Sequence, residues 1–404
     1  MKILVINSGS SSIKFKLYEM SSAEEGEVLA SGLAERIGED TSTLTYKRHE
    51  KDGSETKQTW NDPLPNHETG LKRIIKALSD PEKGVISSPD EIAAAGHRVL
   101  HAGEAFSAPT KVNDAVIDAI KKCIPLGPLH NPANLDGILV ASQIMQGASQ
   151  VAVFDTAFHQ TMPPEAYLYA LPYELYKEQG VRRYGFHGTS HKYVARVTAK
   201  LAGVPQDQSN IITAHLGNGS SMAAVRNGRC VDTSMGLTPL PGLIMGTRTG
   251  DIDPAIIFYL GKQLGLSLEE LDNLVNKQSG LKGICGHNDL RDVHTAAEEG
   301  EERAKLALSM LAYRNKKFFG AYIAALGRVD AIAFTAGVGE NDSWVRAQSL
   351  ADMEHLGVVI DLERNDGRCS EPTLISADSS TIQVWVVPTD EEYEIARETY
   401  EVLS

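Results

Sequence analysis

The 404-residue sequence is poor in several features, and each shortage excludes a class of protein. Only four cysteines occur, without a C-x-x-C pair, which gives no zinc-site signature and suits a reducing compartment. No apolar run approaches the roughly 20 residues of a membrane span, and the first residues form a strand pattern rather than a signal peptide. Acidic residues outnumber basic ones, 53 to 39. The net charge of −14 argues against nucleic acid and anionic membranes as partners.

Two kinase signatures are also missing. The sequence contains no G-x-x-x-x-G-K-[ST] run, which excludes a P-loop enzyme, and neither H-R-D nor D-F-G, which excludes a protein kinase. An acidic chain that handles phosphate must therefore rely on other loops and on individual arginines.

A glycine- and serine-rich loop is present twice, each time after a short apolar strand. Strand 3–7 runs into SGSSS at 8–12, and strand 211–215 runs into LGNGSS at 216–221. Glycine allows a ligand to approach the backbone closely, and successive free N–H groups bind anions. Each loop alone is also compatible with an ordinary hairpin turn. The repetition favours two related half-molecules that face one polyphosphate, as in a nucleotide-dependent phosphotransferase.

Strand and helix patterns alternate along the chain, which predicts an α/β architecture. The strands are expected at 1–20 (a hairpin), 43–46, 92–100, 151–154, 211–232, 331–334 and 384–387. The helices are expected at 71–78, 112–123, from 254, at 268–276, at 296–326 and from 388. Thr389 and Glu392 fit a capping box for the last helix, which would make Glu392 structural.

Several candidate site residues fall where predicted strands end, which is where α/β sheets place their active sites. They are Asn7, Asp155, His215 and Gly337. The run GVGEN at 337–341 is compatible with a nucleotide loop or with a simple turn between strand and helix. Phosphoryl transfer needs phosphate-binding loops, carboxylates for a metal and cations that neutralise charge.

Arg98 and Arg248 lie in glycine-containing surroundings, GHR and GTRTGD. A guanidinium can hold a carboxylate or phosphate by two contacts. The alternative for each arginine is a structural ion pair.

Histidines are crowded, and two pairs, His97/His101 and His187/His191, have the i,i+4 spacing of some zinc sites. Neither pair has the H-E-x-x-H glutamate, and glycines interrupt both surroundings, so we expect no metal ligation by these residues. His187 precedes a predicted helix start, where it can donate to an anion. A buried histidine with satisfied hydrogen bonds is the alternative.

Nine segments together resemble the acetate kinase family. They lie between Lys2 and Thr399 in the family's order and spacing, and they are VINSGSSSIKF, GHRVLHAG, PLHNP, VFDTAFHQTMPP, YGFHGTSHKYV, AHLGNGSS, MGTRTGDIDP, TAGVGEN and VVPTDEEYEIARET. The resemblance implies two duplicated actin-like (ribonuclease H-like) α/β domains, with mixed sheets flanked by helices, around a central nucleotide cleft. The first domain would be 1–155 plus 388–404, including the C-terminal helix, and the nucleotide-binding second domain would be 156–387.

The resemblance also implies the activity. The expected reaction is reversible, Mg²⁺-dependent in-line transfer between ATP and acetate, which gives acetyl phosphate and ADP, with Mn²⁺ as a substitute metal. A cytoplasmic homodimer is expected. The alternatives are a propionate or butyrate kinase of the same family, or a nucleotide-switched ATPase on the same fold.

Residue roles follow from the matched motifs. Catalysis is assigned to Arg98, Asp155, His187 and Arg248, with transition-state stabilisation by His187 and Arg248, and with His130 nearby. Asn7 and Glu391 would position the metal. The nucleotide is assigned to Ser10, Ser12, Lys14, His215, Leu216, Gly217, Asn218, Gly219, Asp289, Leu290, Arg291, Gly337, Val338, Gly339, Glu340 and Asn341.

The acyl group is assigned to Arg98 and to a small pocket of Leu100, Leu129, Phe186 and Pro239. Leu100 and Ala102 stand where the family commonly has valine and glycine. The bulkier Leu100 is expected to tighten the pocket against longer acids, while Ala102 leaves the acyl preference open. Asp390 replaces a common asparagine, with little effect expected on metal binding.

Overall fold

The computed structural model describes residues 1–128 and 130–404 and divides the chain into two compact units. Unit 1 comprises Met1–Phe158 and Asp390–Ser404, and unit 2 comprises His159–Thr389. Each unit contains one mixed β-sheet with helices packed against it.

The strands form two sheets. They are β1 (Lys2–Ser8), β2 (Ser12–Ser22), β3 (Glu25–Glu35), β4 (Thr43–His49), β5 (Glu55–Trp60), β6 (Ile92–Val99), β7 (Thr110–Lys111), β8 (Ser149–Phe154), β9 (Asn210–Leu216), β10 (Ser220–Arg226), β11 (Arg229–Thr233), β12 (Ala331–Thr335), β13 (Thr373–Leu374) and β14 (Gln383–Val386).

The helices connect and cover the strands. They are α1 (His67–Leu78), α2 (Asp114–Lys122), α3 (Asn131–Ile144), α4 (Pro164–Tyr167), α5 (Tyr173–Gln179), α6 (Gly188–Leu201), α7 (Ala255–Leu264), α8 (Leu268–Lys277), α9 (Gly280–Cys285), α10 (Leu290–Glu298), α11 (Glu302–Leu326), α12 (Ala336–Asn341), α13 (Ser343–Ser349) and α14 (Glu391–Leu403). Among the described helices, none has both the length and the apolar character needed to cross a bilayer.

Six strands of the sheet in unit 1 repeat the strand order of the sheet in unit 2, and β4 and β5 extend the first sheet. The sheet of unit 1 runs β5-β4-β3-β2-β1-β6-β8-β7, and that of unit 2 runs β11-β10-β9-β12-β14-β13. In both, an antiparallel hairpin leads into three parallel strands, β1-β6-β8 and β9-β12-β14. The repeated mixed sheets confirm the predicted α/β fold built from two duplicated halves.

Strand β1 shows why the central strands are apolar on both faces. Because side chains alternate along a strand, Leu4 and Ile6 pack into the core on the α1 side of the sheet, while Ile3 and Val5 pack against α14. All four are buried. A strand covered on both faces reads as a continuous apolar run.

Helix α14 lies close against β6. A side chain at Gly96 would collide with Thr399 Oγ1, and its Cβ would come within 2.8 Å of Ile395 Cγ2. Glycine at this position therefore permits the close approach that brings the first turn of α14 to the ends of the parallel strands.

Two sequence-based expectations for helices are wrong. The helix expected over 296–326 is divided into α10 and α11, with Gly300 between them at a φ of +99°. The cap of α14 is Asp390, whose side chain accepts from Tyr393 N at 3.1 Å, and not Thr389. Glu392 instead forms ion pairs with Lys14 and Lys16 on β2.

We predict that His97 makes unit 1 sensitive to acid. The buried ring donates from Nε2 to Gln150 Oε1 at 2.7 Å, and burial lowers its pKa to about 4. Between pH 6.5 and 4, His97 is protonated in the unfolded chain but remains neutral in the folded chain. The free energy of unfolding therefore falls as the pH falls. The loss at pH 5 relative to pH 8 is about 2 kcal/mol.

Urea unfolding at pH 8 and pH 5 tests this prediction against His97→Gln, which retains an amide donor and does not titrate. The variant is expected to lose about 2 kcal/mol less than the wild type over this interval. An equal loss in both proteins would show that His97 does not cause the acid sensitivity.

Candidate functional site

In unit 1, the carboxyl ends of three parallel strands and the start of α14 bring four predicted residues together. Asn7 is the penultimate residue of β1, Arg98 that of β6, and Asp155 follows β8, its backbone N–H donating to Val99 O at 2.8 Å. Glu391 is the first residue of α14. Separate stretches of sequence thus meet at one edge of the sheet.

Arg98 lies between two carboxylates. Its Nη2 is 2.9 Å from Asp155 Oδ2 and its Nε is 3.6 Å from Glu391 Oε2. Asp155 is fully buried, and its charge raises the pKa of Arg98. Burial raises the pKa of Glu391 to about 7, with Arg98 opposing the shift and Asp155 adding to it. One guanidinium therefore faces two acidic groups, and the site can accept a further positive charge.

The first glycine/serine loop is a closed turn. Gly9 N donates to Ser12 O at 2.8 Å, and His67 Nε2 donates to Gly9 O at 2.7 Å. Lys14, which follows this loop, is paired with Glu392. Ser10, Ser12 and Lys14 all belong to unit 1, and none of them lines the cavity of unit 2 described below.

Asn134 was missed by the sequence reasoning. Its buried side chain donates from Nδ2 to Ser8 O at 2.8 Å and accepts from Leu100 N at 3.0 Å. One amide on α3 thus sets the spacing between the ends of β1 and β6, where Asn7 and Arg98 lie. Nothing in the local sequence distinguishes Asn134 from the other polar residues of α3, such as Asn131 and Gln143. Of the predicted acyl pocket, Leu100 is buried here, and Leu129 lies outside the described residues.

In unit 2, His187 occupies the position before α6 with a left-handed backbone, φ 57°. Its ring stacks on His215 with centroids 4.1 Å apart. His187 Nδ1 lies 2.8 Å from Ser221 Oγ, and His215 Nδ1 lies 2.8 Å from Ser190 Oγ. The second glycine/serine loop and the start of α6 therefore hold two predicted histidines in fixed orientations.

Arg248 contrasts with Arg98. Its Nη1 donates to Pro239 O at 3.2 Å, and burial lowers its pKa. Within residues 1–128 and 130–404, no carboxylate forms an ion pair with it. A Cβ on Gly219 would lie 3.5 Å from Arg248 Nη1 and 3.7 Å from the His187 ring. Arg248 and His187 therefore border the same glycine of the loop.

A cavity of about 380 Å³ opens in unit 2 beside this loop. Leu281 and Leu311 contribute apolar surface, whereas Asn288, Asn315 and Arg368 contribute polar groups that the sequence reasoning did not single out. A cavity with apolar walls and a few polar groups is typical of a small-molecule binding site.

Some of the residues predicted to bind nucleotide line this cavity, and others do not. Nine of them line it, namely Leu216, Gly217, Asn218, Asp289, Leu290, Arg291, Gly337, Val338 and Asn341. His215, Gly219, Gly339 and Glu340 are not part of its lining. Glu340 Oε1 accepts from Ala336 N at 2.8 Å and from Thr389 N at 3.2 Å, which fixes the turn at the end of β12.

The remaining residues of the predicted acyl pocket lie in unit 2. Phe186 is buried, and its backbone carbonyl accepts from His159 Nε2 at 2.9 Å. Pro239 is partly buried, and its carbonyl holds Arg248 as described above.

Comparison with known proteins gives consistent matches along the chain. The model of the acetokinase family matches residues 2–397. An acetate kinase of Oleidesulfovibrio alaskensis is 56% identical over 403 residues, which cover 100% of both chains. An acetate kinase of Nitratidesulfovibrio vulgaris (strain DP4) is 56% identical over 404 residues, again with 100% of both chains covered.

Two solved structures superpose closely. The acetate kinase of Porphyromonas gingivalis gives a TM-score of 0.93 at 46% identity, with 100% of both chains covered. A propionate kinase of Francisella tularensis gives a TM-score of 0.90 at 42% identity, with 99% of both chains covered.

Proposed function

Because the chain belongs to the acetokinase family, we propose that it is a phosphotransferase that catalyses reversible transfer of a phosphoryl group between ATP and acetate. The products in the forward direction are acetyl phosphate and ADP. The family match covers nearly the whole chain, and acetate kinases are found both among the sequence relatives and among the structures.

The observation that carries this proposal is the state of Arg248. Among the described residues no carboxylate forms an ion pair with it, and a partly buried guanidinium without a counter-ion is costly unless an anion binds it. The Gly219 backbone and the His187 ring lie beside it, so an incoming phosphoryl group would meet a cation, a loop N–H and an imidazole. These groups suit the charge that develops on the equatorial oxygens during transfer.

The proposed mechanism is direct in-line transfer to the acetate carboxylate. A carboxylate is deprotonated at neutral pH, so the acceptor needs no strong general base. Arg98 would hold the acyl substrate, Asp155 would orient Arg98 through the 2.9 Å ion pair, and Arg248 and His187 would stabilise the transferring group. Positioning and charge neutralisation then account for most of the rate enhancement.

The residues of unit 1 fit Mg²⁺. This ion prefers oxygen ligands and commonly takes one or two carboxylates, with waters and substrate phosphates completing its coordination. Asn7 and Glu391 supply an amide and a carboxylate, and Asp155 adds a second carboxylate. Because two acidic groups face a single guanidinium here, the excess of acidic groups favours a bound cation. When bound, the metal would neutralise and orient the phosphates; Mn²⁺ meets the same requirements.

The cavity of unit 2 is the proposed site of the nucleotide. Leu290 and Val338 would contact the base, and Asn341 is oriented by Arg368, whose Nε donates to Asn341 Oδ1 at 2.7 Å. Asn218 and Gly217 lie where the loop reaches the cavity, and they would bind the phosphates. Ser10, Ser12 and Lys14 of the first loop are proposed as further phosphate contacts.

The acyl preference is the finer part of the proposal. Leu100, Leu129, Phe186 and Pro239 are proposed to form the pocket for the methyl group. The Francisella structure is a propionate kinase at 42% identity, so propionate is the alternative substrate. Leucine at 100 favours the shorter acid because it takes more of the pocket than the valine common in the family.

A homodimer is supported by helix α7. The helix is largely apolar, yet none of its residues is buried. Phe258, Tyr259 and Leu264 are 68%, 63% and 65% exposed, and neighbouring Leu268 is 83% exposed. A contiguous apolar patch of this kind marks a protein interface.

A cytoplasmic location is also proposed, because all four cysteines are free thiols.

The reaction is tested by measuring ADP release from Mg·ATP with acetate, propionate, butyrate or no acceptor, with hydroxylamine trapping of the acyl phosphate. We expect trapped acetyl phosphate and activity that falls steeply with chain length. A preference for propionate would change the assigned substrate but leave the proposed phosphoryl transfer to a carboxylate unchanged. ADP release without an acceptor would favour a nucleotide-switched ATPase and contradict the proposal.

Arg248→Ala and Arg98→Ala are each expected to lower kcat by roughly 10²- to 10³-fold, because a group that stabilises the transition state is removed. The corresponding lysine variants separate charge from geometry, since lysine keeps the charge without the two-point fork. Circular dichroism is needed for Arg98→Ala, which leaves Asp155 and Glu391 without their counter-ion. Near-normal turnover in either alanine variant would remove that arginine from the mechanism.

The double variant Phe258→Asp/Tyr259→Asp is expected to be a monomer by light scattering, because two charges would be buried in the proposed interface. The matched control is Leu362→Asp, at a leucine that is 71% exposed outside α7. A monomeric wild type, or a double variant that stays dimeric, would contradict the assignment of α7.

A further inference from the structure

A chain of buried polar side chains runs behind His187. Ser221 Oγ lies 2.8 Å from His187 Nδ1 and 2.8 Å from His191 Nε2, and His191 Nδ1 lies 2.7 Å from Thr213 Oγ1. Thr213, His191 and Ser221 come from β9, α6 and β10 and are fully buried. We call these three residues the relay.

The number of hydrogens that these side chains carry limits the hydrogen-bond arrangements of the relay. A serine hydroxyl carries one hydrogen, and Ser221 lies between two imidazole nitrogens. When it donates to one ring, the other ring must donate to it. Burial, with His159 and His215 as further causes, lowers the pKa of His191 well below its ordinary value, so this ring is neutral and carries one N–H. Only two arrangements satisfy every hydrogen bond.

In the first arrangement, Thr213 donates to His191 Nδ1, His191 Nε2–H donates to Ser221, and Ser221 donates to His187 Nδ1. A neutral His187 then carries its hydrogen on Nε2. In the second arrangement all three hydrogen bonds are reversed, and His187 carries a hydrogen on Nδ1. A neutral His187 would then present a lone pair at Nε2.

The Nε2 atom of His187 lies beside the second glycine/serine loop. A Cβ on Gly219 would lie 3.8 Å from His187 Nε2 and 3.5 Å from Arg248 Nη1. A lone pair at this position would repel a phosphoryl oxygen, whereas an N–H would donate to it. The ring also stacks on His215 at 4.1 Å, where two positive charges would repel each other. The first observation favours hydrogen on Nε2, and the second disfavours a charge on both stacked rings.

We propose that Thr213, His191 and Ser221 are positioning residues that hold His187 as the neutral Nε2–H tautomer. This inference rests on the proposed function, since it supplies the reason why His187 must donate. Ser221 acts directly on His187, and His191 and Thr213 determine which way the Ser221 hydroxyl points. The sequence spacing of His187 and His191, four residues apart, serves this arrangement and not a metal.

Kinetics of Ser221→Ala give the first test. Loss of the hydroxyl leaves both neutral tautomers of His187 accessible, and kcat is expected to fall about 10- to 100-fold, the loss typical when an outer hydrogen-bond partner that orients a histidine is removed. The KM values for acetate and ATP are expected to change little. Thr213→Val is expected to have a smaller effect on kcat, because Ser221 remains in contact with His187.

Two matched controls report the cost of deleting a buried hydroxyl elsewhere in unit 2. Ser209→Ala removes a hydroxyl that donates only to Gln206 O, and Thr198→Val removes one that donates to Val194 O on α6. Both controls are expected to retain wild-type kcat. A fall in kcat equal to that of Ser221→Ala would mean that the relay has only a structural role.

Nitrogen NMR of protein labelled with ¹⁵N-histidine gives the deciding readout and does not depend on turnover. His187 signals are identified by their loss in His187→Gln. We expect an unprotonated Nδ1 and a protonated Nε2 in the wild type, and a mixture of tautomers in Ser221→Ala. A protonated Nδ1 in the wild type would overturn the inference. Absence of trapped acyl phosphate in wild-type assays would instead overturn the proposed function.

Discussion

Parallel pairing of three strands in the middle of each sheet is the constraint on which the candidate sites depend. Parallel strands end at the same edge, so residues far apart in sequence are delivered to one place. In unit 1 this edge collects Asn7, Arg98 and Asp155. Covering such strands with helices on both faces requires apolar side chains on both faces, which explains the buried runs of β1 and β9. The polar residues lie at the strand ends because the side chains within the strands are buried in the core.

The two units differ in their charge at these edges. In unit 1, Asp155 and Glu391 share a single guanidinium, which leaves an excess of acid. In unit 2, Arg248 has a carbonyl as its hydrogen-bond partner and no carboxylate among the described residues. The first arrangement suits a divalent cation and the second suits a phosphate. Two halves with the same sheet arrangement therefore differ in the charge at the ends of their parallel strands.

The sequence predicted the central strands and both glycine/serine loops because their signals are local: apolar runs, then glycine and serine. It predicted no strand at β3 or β5, which carry no long apolar run. It failed where a distant residue decided the outcome. Thr389 and Glu392 have the spacing of a capping box, but Lys14 and Lys16 on β2 take the Glu392 carboxylate, and Asp390 caps α14 instead. The relay was also invisible, because its three residues belong to separate elements and their spacing carries no tertiary information. Gly300, by contrast, was a local sign that the helix over 296–326 would break.

The position of α14 has a consequence for how the molecule is made. Unit 1 is assembled from two stretches of chain, with the whole of unit 2 between them. Ile395 and Ala396 of α14 complete one of its cores. During synthesis the sheet of unit 1 emerges first, yet one face remains uncovered until the ribosome has passed through unit 2. An exposed apolar sheet face is prone to aggregation, so this interval is the vulnerable period for the nascent chain. A prematurely terminated chain would lack both this cover and Glu391 at the edge of the sheet.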